Sequence, residues 1–105
     1  MHFHGVDHPG PTAVSAQGST HGEQHLGSVP LTDHGFVLCV RNIANETVAV
    51  RIEVWGSNDF DVTDFNTQPG EYLCCKIADI PGAEAGVRLT ASGGEIEYEI
   101  CSNNL

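Results

Sequence analysis

The sequence predicts an all-β domain, a small antiparallel β-sandwich or jelly roll that carries an extended N-terminal arm. Apolar residues occupy every second position of one segment, and turn residues separate further short apolar runs after residue 35. No segment places apolar residues at helical spacing over three turns. Alternation with period two gives a strand one core face and one solvent face, and several short strands joined by turns favour a sandwich. The alternating residues are Val48, Val50, Ile52 and Val54.

Residues 1–34 are predicted to form the arm, because their composition does not support a core. They contain all six histidines and no Lys or Arg, and their apolar residues stand singly among small and polar ones. So little apolar surface cannot offset the conformational entropy lost on ordering. We therefore expect the arm to lie across other protein subunits, with a few apolar anchors supplying most of the binding energy. The predicted anchors are Phe3, Val6, Val14, Leu26 and Val29.

Residues 35–105 are predicted to form the sandwich body. A hairpin-sized connection at 42–46 joins its first two strands, and Gly93-Gly94 is predicted to be a turn between its last two. The predicted strands lie at 35–40, 46–55, 60–65 (at an edge), 71–77, 87–91 and 95–100. The predicted core comprises Val48, Val50, Ile52, Val54, Leu73, Ile77, Leu89, Ile96, Tyr98 and Ile100.

Charge excludes several classes of partner. The formal net charge is -10, and the only four basic residues are scattered singly along the chain. Nucleic acids and anionic membrane surfaces require clustered basic residues, so neither is an expected partner. We find no basic stretch followed by an apolar run of the kind that forms a secretory signal, and no apolar run long enough to span a bilayer. We therefore expect synthesis in a cytoplasm, where cysteines are initially reduced.

The four cysteines lack the C-x₂-C spacing of zinc ribbons and thioredoxin-like sites. Strand parity directs Cys75 into the core and directs Cys39, Cys74 and Cys101 to the opposite face. Cysteines of this kind are commonly buried and act as small hydrophobic residues. Cys39 and Cys101 lie on the first and last predicted body strands, so they are the candidate disulfide if those strands are neighbours.

The histidines do not predict a metal site. His4 and His8, and likewise His21 and His25, have the H-x₃-H gap of some zinc sites. Gly5, Pro9 and Gly22 disfavour the helix that would place each pair on one face. These four histidines are the candidate ligands if a metal is bound, but we expect no cofactor and assign the histidines to hydrogen bonding with a partner.

Catalysis is not expected either. A nucleophile needs a base held by a third group in a rigid site, and all six histidines lie within the predicted arm, with His34 at its end. No phosphate-binding loop or nucleophile-elbow motif occurs. The alternative to a structural role is a small binding module. It would bind glycans by stacking on Trp55 and Tyr72, or a metal through the arm histidines.

Two segments of the body look like strand-turn steps of small phage structural sandwiches. They are Val54-Trp55-Gly56-Ser57-Asn58-Asp59 and Val87-Arg88-Leu89-Thr90-Ala91-Ser92-Gly93-Gly94. Over residues 46–100 the acidic β body, with its long N-terminal extension, resembles the decoration (cement) proteins of tailed-bacteriophage capsids. The resemblance implies a non-enzymatic protein on the capsid surface of the virion. Such a protein would bind across junctions between major capsid protein subunits, as a homo-oligomer and often as a trimer.

Overall fold

The computed structural model describes residues 1–10 and 13–101, and confirms an all-β fold with no α-helix in those residues. No helix among them is long and apolar enough to cross a membrane. The predicted edge strand at 60–65 is present, and residues 102–105 of the predicted body lie outside the described part. The strands are β1 His2–Val6, β2 Val14–Pro30, β3 Phe36–Asn42, β4 Val48–Trp55, β5 Phe60–Thr67, β6 Tyr72–Ala78 and β7 Glu84–Cys101.

The long strand β7 organises the sheet. Along one side it pairs antiparallel with β2 over nearly its whole length, with three register shifts. Along the other side its second half pairs with β3 and its first half with β4. The order is β1-β6-β3-β7-β4-β5, so two groups of strands share β7 and the sheet curves until it is nearly closed into a barrel-like shape.

The predicted turn at Gly93-Gly94 is instead a bend inside β7. The strand continues from Glu84 to Cys101, and Gly93 has a φ of +104°. That conformation is open to glycine at little cost, and it lets one strand leave β4 and join β3. A Gly-Gly pair marks a change of chain direction in either case, which is why the sequence pattern was interpreted as a turn.

The predicted hairpin at 42–46 is also wrong, since β3 and β4 both pair with β7 and not with each other. The connection is fixed by Asn42, whose buried side chain donates hydrogen bonds to the carbonyl oxygens of Glu46 (2.8 Å) and Thr67 (3.0 Å). Its Oδ1 accepts a bond from the Ala44 N–H at 2.8 Å. One amide therefore satisfies three backbone groups at the crossing between the two groups of strands.

The core between the two groups of strands contains every predicted core residue except Leu73. Leu73 has the expected parity on β6 but is 37 % exposed. The reason is the length of β1, which pairs with β6 only from Cys74 to Ala78 and leaves Leu73 without a neighbour on that side. Cys75 follows the prediction and packs against this core.

A second, smaller core lies on the opposite face of the sheet. Val37, Cys39 and Cys101 are fully buried there, although strands β3 and β7 present their other face to the main core. Residues from the N-terminal part of the chain supply the cover: Val6, Ala13 and Val14 all pack on this face. The N-terminal segment is therefore part of the fold.

The described residues of the predicted arm, 1–10 and 13–34, do not project from the body. They are extended, as predicted, but β1 pairs with β6 and β2 pairs with β7 within the same sheet. The five predicted anchors accordingly contact this chain's own cores, Val29 as a buried residue and the other four as partly buried ones. Phe3, Leu26 and Val29 pack in the main core, and Val6 and Val14 in the smaller one.

Candidate functional site

Three of the four cysteines meet one histidine on the outer face of the sheet; we call His8, Cys39, Cys74 and Cys101 the cysteine–histidine cluster. Each residue comes from a different element: Cys39 from β3, Cys74 from β6, Cys101 from β7 and His8 from the segment after β1. The ligand atoms of His8, Cys39 and Cys101 lie within 4.8 Å of one another, and Cys39 is bonded to Cys74. The predicted parity of these cysteines is therefore confirmed.

The disulfide joins Cys39 to Cys74, so the predicted pairing of Cys39 with Cys101 is wrong. Strand β3 has β6 on one side and β7 on the other, and the register decides between the two neighbours. Cys39 lies directly opposite Cys74 on β6, whereas its partner on β7 is Glu99 and Cys101 lies opposite Val37.

Cys101 remains a buried free thiol beside the disulfide. Burial raises its pKa, and the neighbouring carboxylate of Glu99 raises it further. The remaining free cysteine, Cys75, lies on the other face of β6, and burial raises the pKa of its thiol too. Neither thiol has the depressed pKa that marks a reactive nucleophile.

His8 is oriented by the backbone. The Gly10 N–H donates to Nδ1 at 2.9 Å, so the neutral ring carries its proton on Nε2. That nitrogen faces the Glu99 carboxylate at 3.4 Å and the Cys101 sulfur at 4.0 Å. The ring stacks on Tyr72 with the centroids 6.1 Å apart. His8 is therefore an oriented polar group at the open side of an otherwise apolar cluster.

Tyr72 and Glu99 close the polar edge of the cluster. The Tyr72 hydroxyl donates to Glu99 Oε1 at 2.8 Å, and the Arg41 guanidinium lies 4.7 Å from the ring centroid. Tyr72, Arg41 and Glu99 also line an open groove of about 640 Å³ that reaches Cys39. Arg41 and His8 thus occupy positions over the tyrosine ring that a stacked sugar would need.

A separate feature lies at the turn between β4 and β5. Trp55 and Phe60 are opposite each other across the two strands, with ring centroids 5.2 Å apart, and they are 36 % and 49 % exposed. The Gly56 N–H bonds the Asp59 carbonyl oxygen at 2.8 Å and closes the turn. We call Trp55 and Phe60 the aromatic pair. Trp55 lies opposite Gly86 near the start of β7, whereas Tyr72 bonds Glu99 near its end, so the two predicted sugar-stacking residues do not form one platform.

An ion pair holds Trp55 in place. Arg88 lies over the indole, 5.4 Å from its centroid, and is opposite Glu53 across β4 and β7. It donates two hydrogen bonds to the Glu53 carboxylate, at 2.8 and 2.5 Å. The bonds from Arg88 hold the pKa of Glu53 below its ordinary value. A bidentate pair of this kind is geometrically specific, so the tryptophan sits on a fixed support.

The other histidines that were considered as ligands do not meet. His4, His21 and His25 are exposed on β1 and β2, and Nε2 of His25 lies 3.7 Å from the Glu23 carboxylate. Within residues 1–10 and 13–101, His8 is the one histidine in a group of three potential ligands. The spacing of histidines along the chain carried no signal for this group, because its ligands converge through the pairing of distant strands.

Comparisons of the chain with protein-family models, with curated proteins and with solved structures give no match.

Proposed function

We propose that this chain is a non-enzymatic structural protein that binds a larger protein assembly through the aromatic pair. The observation that carries the proposal is a pair of adjacent aromatic side chains, 36 % and 49 % exposed, on a preorganised support. Exposed tryptophan that is already fixed in position loses little entropy on binding, and tryptophan is enriched among residues that dominate interface energetics. Single exposed apolar residues are common on soluble proteins, but a supported pair is a better candidate for an interface.

The charge of the chain indicates the chemistry of the partner. The net charge of -10 favours a partner surface with basic groups around an apolar recess. The resemblance to capsid decoration proteins supports a viral capsid as the assembly, with the chain acting on the virion surface as a homo-oligomer. This choice of assembly rests on the resemblance, whereas the aromatic pair supports the wider class.

Co-sedimentation with capsid shells encoded by the same genome tests the proposal. The wild-type chain should pellet with the shells, and changing Trp55 and Phe60 together to Ala should weaken binding by at least tenfold. Leu73→Ala is the matched control, because Leu73 is similarly exposed but lies on β6, away from the β4–β5 turn. Equal loss in the control, or unchanged binding without the aromatic pair, would contradict the assigned surface.

Light scattering on the isolated chain tests the oligomer separately. A trimer has three times the chain mass of 11.2 kDa.

A genome of origin that encodes no capsid protein would remove the viral form of the proposal, and leave the aromatic pair to be tested against other assemblies.

A further inference from the structure

We propose that the reduced protein binds one zinc ion at the cysteine–histidine cluster, through the thiolates of Cys39, Cys74 and Cys101 and the imidazole of His8. This inference is independent of the proposed function. Three sulfurs and one imidazole nitrogen are a donor set that selects zinc and closes a tetrahedral structural site. The site is assembled from four elements that are far apart in sequence.

Three of the four proposed ligand atoms, those of His8, Cys39 and Cys101, lie near the spacing of a zinc tetrahedron. With a zinc–sulfur bond of ~2.3 Å, neighbouring ligand atoms in such a site lie ~3.8 Å apart. The Cys101 sulfur and His8 Nε2 are already 4.0 Å apart, and both lie within 4.8 Å of the Cys39 sulfur. Reduction has to separate the bonded sulfurs of Cys39 and Cys74, and the Cys74 thiol then has to turn toward the other three ligands, because its sulfur is not among the atoms that lie within 4.8 Å of one another.

Formation of the site is a two-electron reduction followed by metal binding. Two molecules of a thiol reductant supply two electrons and two protons to the Cys39–Cys74 disulfide, and themselves become a disulfide. Zinc then displaces the protons of the three thiols to solvent as the sulfurs become thiolates. The metal charge opposes the burial and the Glu99 carboxylate, both of which raise the pKa of the Cys101 thiol.

Coordination also changes the state of His8. A nitrogen that binds zinc cannot carry a proton, so the ring proton has to move from Nε2 to Nδ1. The hydrogen bond from the Gly10 N–H to Nδ1 is then lost. In return, the metal ties the segment after β1 to three strands of the sheet, whereas the disulfide joins only β3 and β6. Zinc and the disulfide exclude each other, which makes the cluster sensitive to redox state.

Cobalt titration of the full-length chain tests the site, because Co²⁺ reports thiolate ligands and tetrahedral geometry in its absorption spectrum. After reduction with a phosphine, the chain should bind one Co²⁺ with a thiolate charge-transfer band and tetrahedral ligand-field bands, and Zn²⁺ should displace it. The oxidised chain should show neither signal. No thiolate band after reduction, or the same spectrum from the oxidised chain, would overturn the proposal.

Single variants identify the ligands. Loss of a residue that only supports a metal ligand typically lowers metal affinity by roughly 10–100-fold. Cys101→Ser and His8→Gln each remove a ligand, so each should weaken Co²⁺ binding by at least as much. Cys75→Ser is the matched control and should bind as the wild type does, since Cys75 faces the main core. If Cys101→Ser fails to fold, His8→Gln still decides, because the His8 side chain is 24 % exposed and outside the buried cores. Unchanged binding in His8→Gln, or equal weakening in Cys75→Ser, would refute the assignment.

Discussion

Tyr72 shows how its neighbours set the chemistry of one residue at the edge of the cysteine–histidine cluster. Burial, followed by the hydrogen bond to Glu99, raises the pKa of its phenol from 10.0 to about 12. The neutral phenol is the better partner for a carboxylate, because ionisation would place two negative charges within hydrogen-bonding distance. Since the folded-state pKa lies above the unfolded one, this contact stabilises the fold below pH 10.0 and is lost as the pH rises through about 12.

Replacing Glu99 by Gln should lower the pKa of Tyr72 toward 10.0, because the charged acceptor is removed. The titration can be followed by NMR of ¹³C-labelled tyrosine rings, which separates Tyr72 from Tyr98. Glu97→Gln is the control: Glu97 is on the same strand and lines the same groove, but the Tyr72 hydroxyl bonds Glu99. A Tyr72 titration that does not differ between the two variants would show that the Glu99 contact does not set the pKa.

At this scale the sequence predicts the face of a residue better than its partner. Alternation alone placed Cys39, Cys74 and Cys101 together and put Cys75 on the other face. The disulfide partner of Cys39 depends on whether β6 or β7 lies opposite it, and both flank β3. Register is a property of the assembled sheet, so sequence parity could not choose between Cys74 and Cys101.

The bend at Gly93-Gly94 allows the long strand β7 to pair with β4 before it and with β3 after it. A Cβ on Gly94 would lie 2.6 Å from the Ala44 Cβ and 2.9 Å from Val48 Cγ2. The connection between β3 and β4 therefore packs directly on the backbone of β7. The absence of a side chain at Gly94 lets the two groups of strands approach where they share β7.

Gly94→Ala should destabilise the fold by ~1–3 kcal/mol, the usual cost of forcing extra volume into a packed site. Urea unfolding measures the change. Gly5→Ala on β1 is the matched control, because its Cβ would meet no atom within 4 Å, and we expect a change within about 0.5 kcal/mol. A Gly94→Ala protein as stable as the Gly5→Ala protein would mean that the bend is not closely packed.

Strand β2 is the element that the sequence pattern did not predict. Residues 14–30 carry Gly, Ser, Gln and His at positions where a half-buried strand has alternating apolar residues. Three register shifts against β7 break the period further, after Val14, Thr20 and His25. The strand is specified by its backbone bonds to β7, which supply the partner that its own side chains do not indicate. Local pattern therefore predicted β4 well and β2 not at all.

For the whole molecule, the main question is which part of the chain folds on its own. Residues 35–105 contain the clear strand patterns, and an independent body was the natural prediction. In the structure β2 pairs with β7 along nearly all of one side, and the smaller core takes part of its cover from Val6, Ala13 and Val14. A domain of this size is only marginally stable, because it buries a small share of its surface. We therefore expect the stabilising free energy lost with two strands to exceed the net free energy of unfolding.

Deleting residues 1–30 should therefore abolish cooperative folding. The deletion removes β1 and β2, takes Val29 from the main core and exposes the edges of β6 and β7. Unpaired edges of that length also promote aggregation. Far-UV circular dichroism and urea unfolding of residues 31–105 should show no native transition, whereas deleting residues 1–6 alone should leave a folded but less stable protein, because β2 is retained. If residues 31–105 unfold cooperatively at the midpoint of the full chain, the N-terminal segment is an arm after all, and its pairing with the sheet contributes nothing to the fold.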